Sequence, residues 1–130
     1  ITAQIPDGWS AKEAGGKLVA KSSDGSTTVI ISIVPYQGTL DALAADTMKA
    51  ENIDAPRESE RHAVLVADMN GFWWPSFQIG ADGKSRYVFF CDVMLDNGHG
   101  LTGAVISPDD EGADYHAGLH LLDRMRLAPK

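Results

Sequence analysis

The sequence predicts an α+β domain built on a mainly antiparallel sheet of six or seven strands flanked by helices. The strand-like segments cluster together and do not alternate with helices, which favours antiparallel pairing. Turn-forming residues such as those of Ser22–Gly25 separate neighbouring strands along the chain. Two segments with apolar residues at helical spacing complete the pattern, one after the first hairpin and one near the end of the chain.

The first part of the chain is predicted to hold a short strand, a hairpin and a helix. Ile1–Ile5 forms the first strand, and Lys17–Lys21 pairs with Thr27–Val34 as a hairpin. The second hairpin strand is β-branched almost throughout, which is typical of a central strand. Thr39 caps the following helix, because its hydroxyl can accept a hydrogen bond from an unpaired backbone N–H. The apolar stripe of that helix consists of Leu40, Leu43, Ala44, Thr47 and Met48.

A meander of four strands is predicted next. The strands are Glu58–Ala67, Phe72–Ile79, Arg86–Leu95 and Leu101–Ile106. Asn70-Gly71 lies in the first turn of the meander, and Asp96–Gly98 forms its last turn. Pro75 cannot donate a ladder hydrogen bond, so the aromatic strand that contains it is predicted to be an edge strand or to carry a bulge.

The closing helix is predicted to begin at Ser107. The Ser107 hydroxyl caps it, Pro108 suits the first helical position, and three acidic residues follow in its first turn. Its predicted buried stripe consists of Tyr115, Leu119, Leu122 and Met125, which follow one another at spacings of four, three and three.

Length and charge limit the classes of function. The chain has 130 residues, which is the size of one domain spanning 1–130. Its net charge of -7 argues against nucleic acid or an anionic membrane surface as the partner. No stretch approaches the roughly 20 apolar residues of a transmembrane helix. Because the sequence starts at Ile1 and not at Met, we expect an exported or periplasmic protein in preference to a cytoplasmic one.

Three short motifs resemble those of PsbP-like domains. The opening Ile5–Trp9 resembles the apolar-Pro-x-Gly-Trp start of that superfamily, and Asn70-Gly71 stands where such domains often turn. The closing Leu121–Leu127 resembles their final helix with its short apolar end. The resemblance covers most of the chain and implies an α/β/α sandwich without a catalytic site of its own. It also implies an accessory, adaptor or chaperone-like role.

His116, His120 and Asp123 are the candidate metal ligands. On a helix they lie within a sector of about 60°, and two imidazoles with a carboxylate can bind Zn²⁺ or Ni²⁺. Their alternative role is to form a solvated flank beside the apolar stripe, and this interpretation is preferred because no clear further ligand is present. We therefore expect no tightly bound metal and no cofactor.

Cys91 is the candidate nucleophile, with His62 or His99 as its base. It shares its strand phase with Tyr87 and Phe89, however, and a cysteine in that position is more often a small buried hydrophobic residue. We accordingly expect Cys91 to be structural and the protein not to be an enzyme.

The aromatic strand provides the candidate binding surface. Strand alternation sends Trp73 and Phe77 to one face of the sheet, and Phe72 and Trp74 to the other. One set can enter a core, whereas the other needs a helix or a partner to cover it. The predicted surface consists of Phe72, Trp73, Trp74, Phe77 and Tyr87.

The predicted function is that of a non-enzymatic accessory or adaptor domain that binds a protein partner, or a second copy as a homodimer, through this aromatic surface. Two alternatives come from other classes. One is a small metal- or cysteine-dependent enzyme. The other is a carrier of an apolar ligand, with a pocket lined by Trp73, Trp74, Phe77 and Tyr87.

Overall fold

The structure is a computed structural model that describes residues 3–50, 62–66, 69–79, 83, 85–95, 98–108 and 112–125. Within these ranges only the backbone is described for residues 40, 41, 44, 48, 50, 62–66, 69, 70, 74 and 76–79. The elements in chain order are β1 (Ser10–Ala14), β2 (Lys17–Lys21), β3 (Thr28–Pro35), α1 (Leu40–Ala50), β4 (His62–Val66), β5 (Met69–Ile79), β6 (Ser85–Met94), β7 (His99–Ser107) and α2 (Ala113–Arg124).

The described strands form one sheet in the order β1-β2-β3-β7-β6-β5-β4. Every neighbouring pair is antiparallel, which confirms the predicted α+β class and its mainly antiparallel sheet. The hairpin half joins the meander where β3 pairs with β7, from Thr28 opposite Ile106 to Pro35 opposite His99. The β-branched β3 therefore lies inside the sheet, as its composition predicts.

The two helices pack on opposite faces of the sheet. Leu43 of α1 lies directly over Gly100, and Leu122 of α2 lies over Gly103. These glycines are three positions apart in β7, so they face opposite sides of the pleat. A Cβ atom at Gly103 would lie 2.6 Å from Leu122 Cδ1, so the missing side chain is what lets α2 approach the sheet this closely.

Each face of the sheet carries an apolar core. The core beneath α2 includes Ile31, Cys91, Val105, Leu121 and Leu122, and the opposite core consists of Val88, Phe90, Ala104 and Ile106. Because β6 supplies residues to both cores, it is buried on both sides, as its apolar sequence predicts. Neither of the described helices has the length and apolar character of a membrane span.

The predicted first strand is wrong. Residues 3–9 are not a strand, and the chain instead forms β1 at Ser10–Ala14, whose residues are all exposed. The hairpin to β2 turns through Gly15 and Gly16, with φ values of 60° and 80° that glycine adopts readily. At Gly16 the backbone also approaches Ile33 closely, and the Ile33 N–H donates to the Gly16 carbonyl at 2.9 Å.

Asn70-Gly71 is not a turn, because both residues lie in β5. Gly71 has a different reason to be glycine: a Cβ there would overlap the carbonyl oxygen of Asp92 on β6. The prediction for Pro75 is also wrong, since β5 lies between β4 and β6 and its register with β6 runs without a bulge. Pro75 lies opposite Phe89 of β6, and the positions that the β4 register would bring to its other side lie outside the described residues.

The two predicted helix caps have different outcomes. Thr39 is confirmed as a cap, since its Oγ1 accepts a hydrogen bond from the Ala42 N–H at 3.2 Å. Ser107 is not a cap. It ends β7, is 2% exposed, and its Oγ accepts a hydrogen bond from Thr27 Oγ1 at 3.4 Å. Helix α2 starts later, at Ala113, with Gly112 as its N-cap residue.

The stripe predicted for α2 is largely confirmed. Tyr115, Leu122 and Met125 are buried, whereas Leu119 is only half-buried. Gly118 belongs to the packed side as well, because a Cβ there would lie 2.9 Å from Val105 Cγ1.

Candidate functional site

Half-buried aromatic residues form a patch on the sheet face that carries α2. Trp73 stacks on Phe89 with ring centroids 5.0 Å apart and planes inclined by 18°. Tyr87, two positions from Phe89 on β6, lies with its ring 5.6 Å from Tyr115 at the start of α2. Trp73, Pro75, Tyr87 and Phe89 are each neither fully buried nor fully exposed, and we call these four residues the aromatic patch.

The residues of the predicted binding surface are divided between the two faces. Trp73 and Tyr87 belong to the aromatic patch, and the backbone register places Phe77 opposite Tyr87 on the same face. Phe72 packs instead against the core on the other face. The backbone places Trp74 opposite Phe90, and the side chains of Trp74 and Phe77 lie outside the described residues. The described rings of Trp73 and Tyr87 contact neighbouring rings of Phe89 and Tyr115.

A groove of about 450 Å³ lies between α2 and the segment that precedes β1. We call it the helix groove. The segment bends at Gly8, whose φ is 82°, and the Trp9 N–H donates to the Pro6 carbonyl at 3.1 Å. Its apolar residues Ala3, Ile5 and Trp9 pack against the core beneath α2. The lining residues are Gln4, Ile5, Pro6, Asp7, Ala117, His120, Leu121 and Arg124.

His116, His120 and Asp123 are all exposed on α2. Among the described residues, no group of three or more His, Cys, Asp or Glu side chains is arranged to hold a metal ion. The His116 ring lies 5.6 Å from the Tyr115 ring, and His120 lines the helix groove. The groove is therefore the setting in which His120 can take part in binding.

Cys91 is fully buried, as predicted. Burial raises the pKa of its thiol to about 12, and the neighbouring charge of Asp92 adds to this rise. His99 is four positions along β7 from Gly103, the partner of Cys91, which separates their backbones by roughly 13 Å. The His62 backbone lies two strands away, roughly 10 Å, with Trp73 between them. The backbone arrangement therefore does not place either histidine beside the thiol.

The helix groove is the feature that sequence reasoning missed. Its helix wall was recognisable, since Ala117, His120, Leu121 and Arg124 follow at intervals of three, one and three, which is one side of a helix. Its other wall was not, because Ile1–Ile5 was predicted to form a strand. Only the three-dimensional path of that segment brings the two walls together.

Comparisons with known proteins show a likeness at the level of fold. No family model matches the sequence, and no curated protein matches it. Among solved structures, the chain is similar to the crystal structure of LpqN, which is involved in cell envelope biogenesis of Mycobacterium tuberculosis. The two are 14% identical, the match covers 95% of this chain and 79% of LpqN, and the TM-score is 0.61. The PsbP-like resemblance is not shown by these comparisons, and the finding they support is that this chain shares the fold of LpqN.

Proposed function

We propose that this chain is a non-enzymatic accessory domain of the cell envelope that binds a protein partner through its aromatic patch. We also propose that its helices and sheet form the α/β/α sandwich of a PsbP-like domain. LpqN supports the setting, because a protein with the same fold is involved in cell envelope biogenesis. That likeness concerns the fold alone, so the support for the proposed contact surface comes from the side chains of this chain.

The observation that carries the proposal is the half-buried stack of Trp73 on Phe89. Burial of large aromatic side chains is favourable, with a free energy of about 25 cal/mol for each Å² of apolar surface removed from water. A stacked pair is already ordered, so its two side chains lose little further entropy when a partner covers them. Aromatic residues of this kind supply much of the affinity at protein interfaces. The patch therefore has the chemistry of a contact surface.

The enzyme alternative has less support from the described side chains. The Cys91 thiol is buried beneath α2 with a raised pKa, whereas a nucleophilic cysteine needs a lowered pKa and access for its substrate. The histidines on α2 are exposed, and the backbone arrangement does not place His62 or His99 beside the Cys91 thiol as its base. A binding role accounts for the exposed features without requiring these groups to converge.

Quantitative affinity purification from the source cells tests the proposal. The Tyr87→Arg variant places a charge within the patch, and we expect it to deplete the partner that co-purifies with the wild-type protein. Tyr87 is half-buried, so a long arginine stem can lie over the sheet with its charge in water. Sedimentation velocity of the purified proteins distinguishes a different partner from a second copy of the chain.

The matched control is Ala11→Arg, which adds the same charge to an exposed residue of β1 at the far edge of the sheet. Thermal unfolding of both variants checks that the fold is retained. Co-purifying proteins that are unchanged in Tyr87→Arg, or depleted equally in both variants, would contradict the proposed contact surface.

A further inference from the structure

The helix groove shares no residue with the aromatic patch, so its role is independent of the proposed partner surface. Its volume of about 450 Å³ falls within the usual range for sites that hold small ligands. The N-terminal wall is anchored by core contacts of Ile5 and Trp9. The opposite wall is a regular helix, so both walls are built before any ligand arrives.

The chemistry of the groove is divided between an apolar part and a polar part. The apolar part consists of Ile5, Pro6, Ala117 and Leu121, of which Leu121 is only 2% exposed and the other three are half-buried. The polar part consists of Gln4, Asp7, His120 and Arg124, which are all exposed. An occupant that matches both parts is amphiphilic: it has a short apolar body and one polar head.

The charges of the groove select the head group. The whole chain carries a net charge of -7, yet the helix wall contributes Arg124 and no acidic residue to the lining. The guanidinium group of arginine presents paired N–H donors that fit a carboxylate or phosphate. His120 lies one helical turn away from Arg124 and adds a ring N–H donor. The opposed charge is Asp7 on the other wall.

We propose that the helix groove binds a small amphiphile with a single anionic head group. The head group binds to Arg124 with His120 beside it, and the apolar body lies against Leu121 and Ile5. Asp7 weakens this binding, because its carboxylate repels the anion. The proposal therefore predicts opposite effects from neutralising the two charged residues that line the groove.

Nuclear magnetic resonance titration of the ¹⁵N-labelled protein tests this, with octanoate as the probe. Octanamide is the matched neutral ligand, with the same chain and a head group of similar size. We expect octanoate to shift the amide signals of residues 4, 5, 7 and 117–124. Octanoate should bind about two- to fivefold more tightly than octanamide, which is the usual contribution of an exposed ion pair.

Variants of the groove separate charge from apolar contact. Arg124→Gln should abolish the preference for octanoate over octanamide while leaving octanamide binding unchanged. Asp7→Asn should tighten octanoate binding by about twofold. Ala117→Trp should fill the groove and remove binding of both ligands, and its amide spectrum checks that the fold is intact.

The proposal is overturned if octanoate binds no more tightly than octanamide, or if the shifted signals lie outside both walls. It is also overturned if Arg124→Gln leaves the octanoate preference unchanged. A failure here leaves the aromatic patch untouched, because the two sites share no residue.

Discussion

The contact of Leu122 with Gly103 determines how closely α2 packs on the sheet, and a double-mutant cycle measures it. In Gly103→Ala, the new Cβ would lie 2.6 Å from Leu122 Cδ1 and 3.0 Å from Cys91 Sγ. Either the helix or the side chain must move, and overpacking of this kind costs about 1–3 kcal/mol. Leu122→Ala removes a side chain that is 2% exposed, which costs about 2–5 kcal/mol.

The double variant should be more stable than the sum of the single changes predicts. Once Leu122 is truncated, the methyl group at position 103 enters the space that the leucine leaves. We expect a coupling free energy of about 1–2 kcal/mol, within the range for residues in contact. Denaturant unfolding with linear extrapolation gives the four free energies of unfolding. Additivity of the two changes would refute the packing described here.

The opposite face provides the control for this cycle. Leu43 is 1% exposed and packs over Gly100 on the α1 side of the sheet. Leu43→Ala should destabilise the protein about as much as Leu122→Ala, yet combine with Gly103→Ala additively to within about 0.5 kcal/mol. Coupling of equal size in both cycles would mean that the effect is not specific to the α2 contact.

Three further predictions concern Cys91, Asp24 and the two histidines of α2. Because Cys91 is fully buried and burial raises the pKa of its thiol to about 12, a soluble thiol reagent should label the native protein far more slowly than the unfolded one, and rapid native labelling would contradict this. The Ser26 N–H and nearby serine hydroxyls lower the Asp24 pKa to about 2, so Asp24 stabilises the fold above the unfolded pKa of about 3.9 and loses that contribution as the pH falls through 2. The stability difference between wild type and Asp24→Asn should therefore shrink as the pH falls from 5 to 2, and a constant difference would show that the turn does not depend on the charge. Protein purified without a histidine tag should contain far less than one equivalent of zinc, whereas one equivalent that is lost in His116→Ala/His120→Ala would establish a metal site.

The sequence was sufficient to predict those elements whose signals lie within a few neighbouring residues. The turn at Ser22–Gly25 is an example: Asp24 accepts hydrogen bonds from Ser22 and Ser26, and Gly25 has a φ of 73°. The strands β3 and β6 were also predictable, because β-branched and apolar runs favour strands that are covered on both sides.

The missed features depend on tertiary contacts. β1 has no alternating pattern because all of its residues are exposed at the edge of the sheet, so its sequence does not distinguish it from a loop. Gly71 resembles a turn residue, yet its role is to allow close approach to the Asp92 carbonyl on a neighbouring strand. Both walls of the helix groove are present in the sequence, but more than a hundred residues separate them.

The aromatic patch as a contact surface is tested most directly by photo-crosslinking in the living source cells. A photoreactive phenylalanine analogue replaces Tyr87 in one variant and the exposed Lys12 of β1 in the other. The proposed function predicts a discrete cross-linked adduct of constant mass from position 87 and none from position 12. Adducts that are absent at position 87, or identical at both positions, would contradict it.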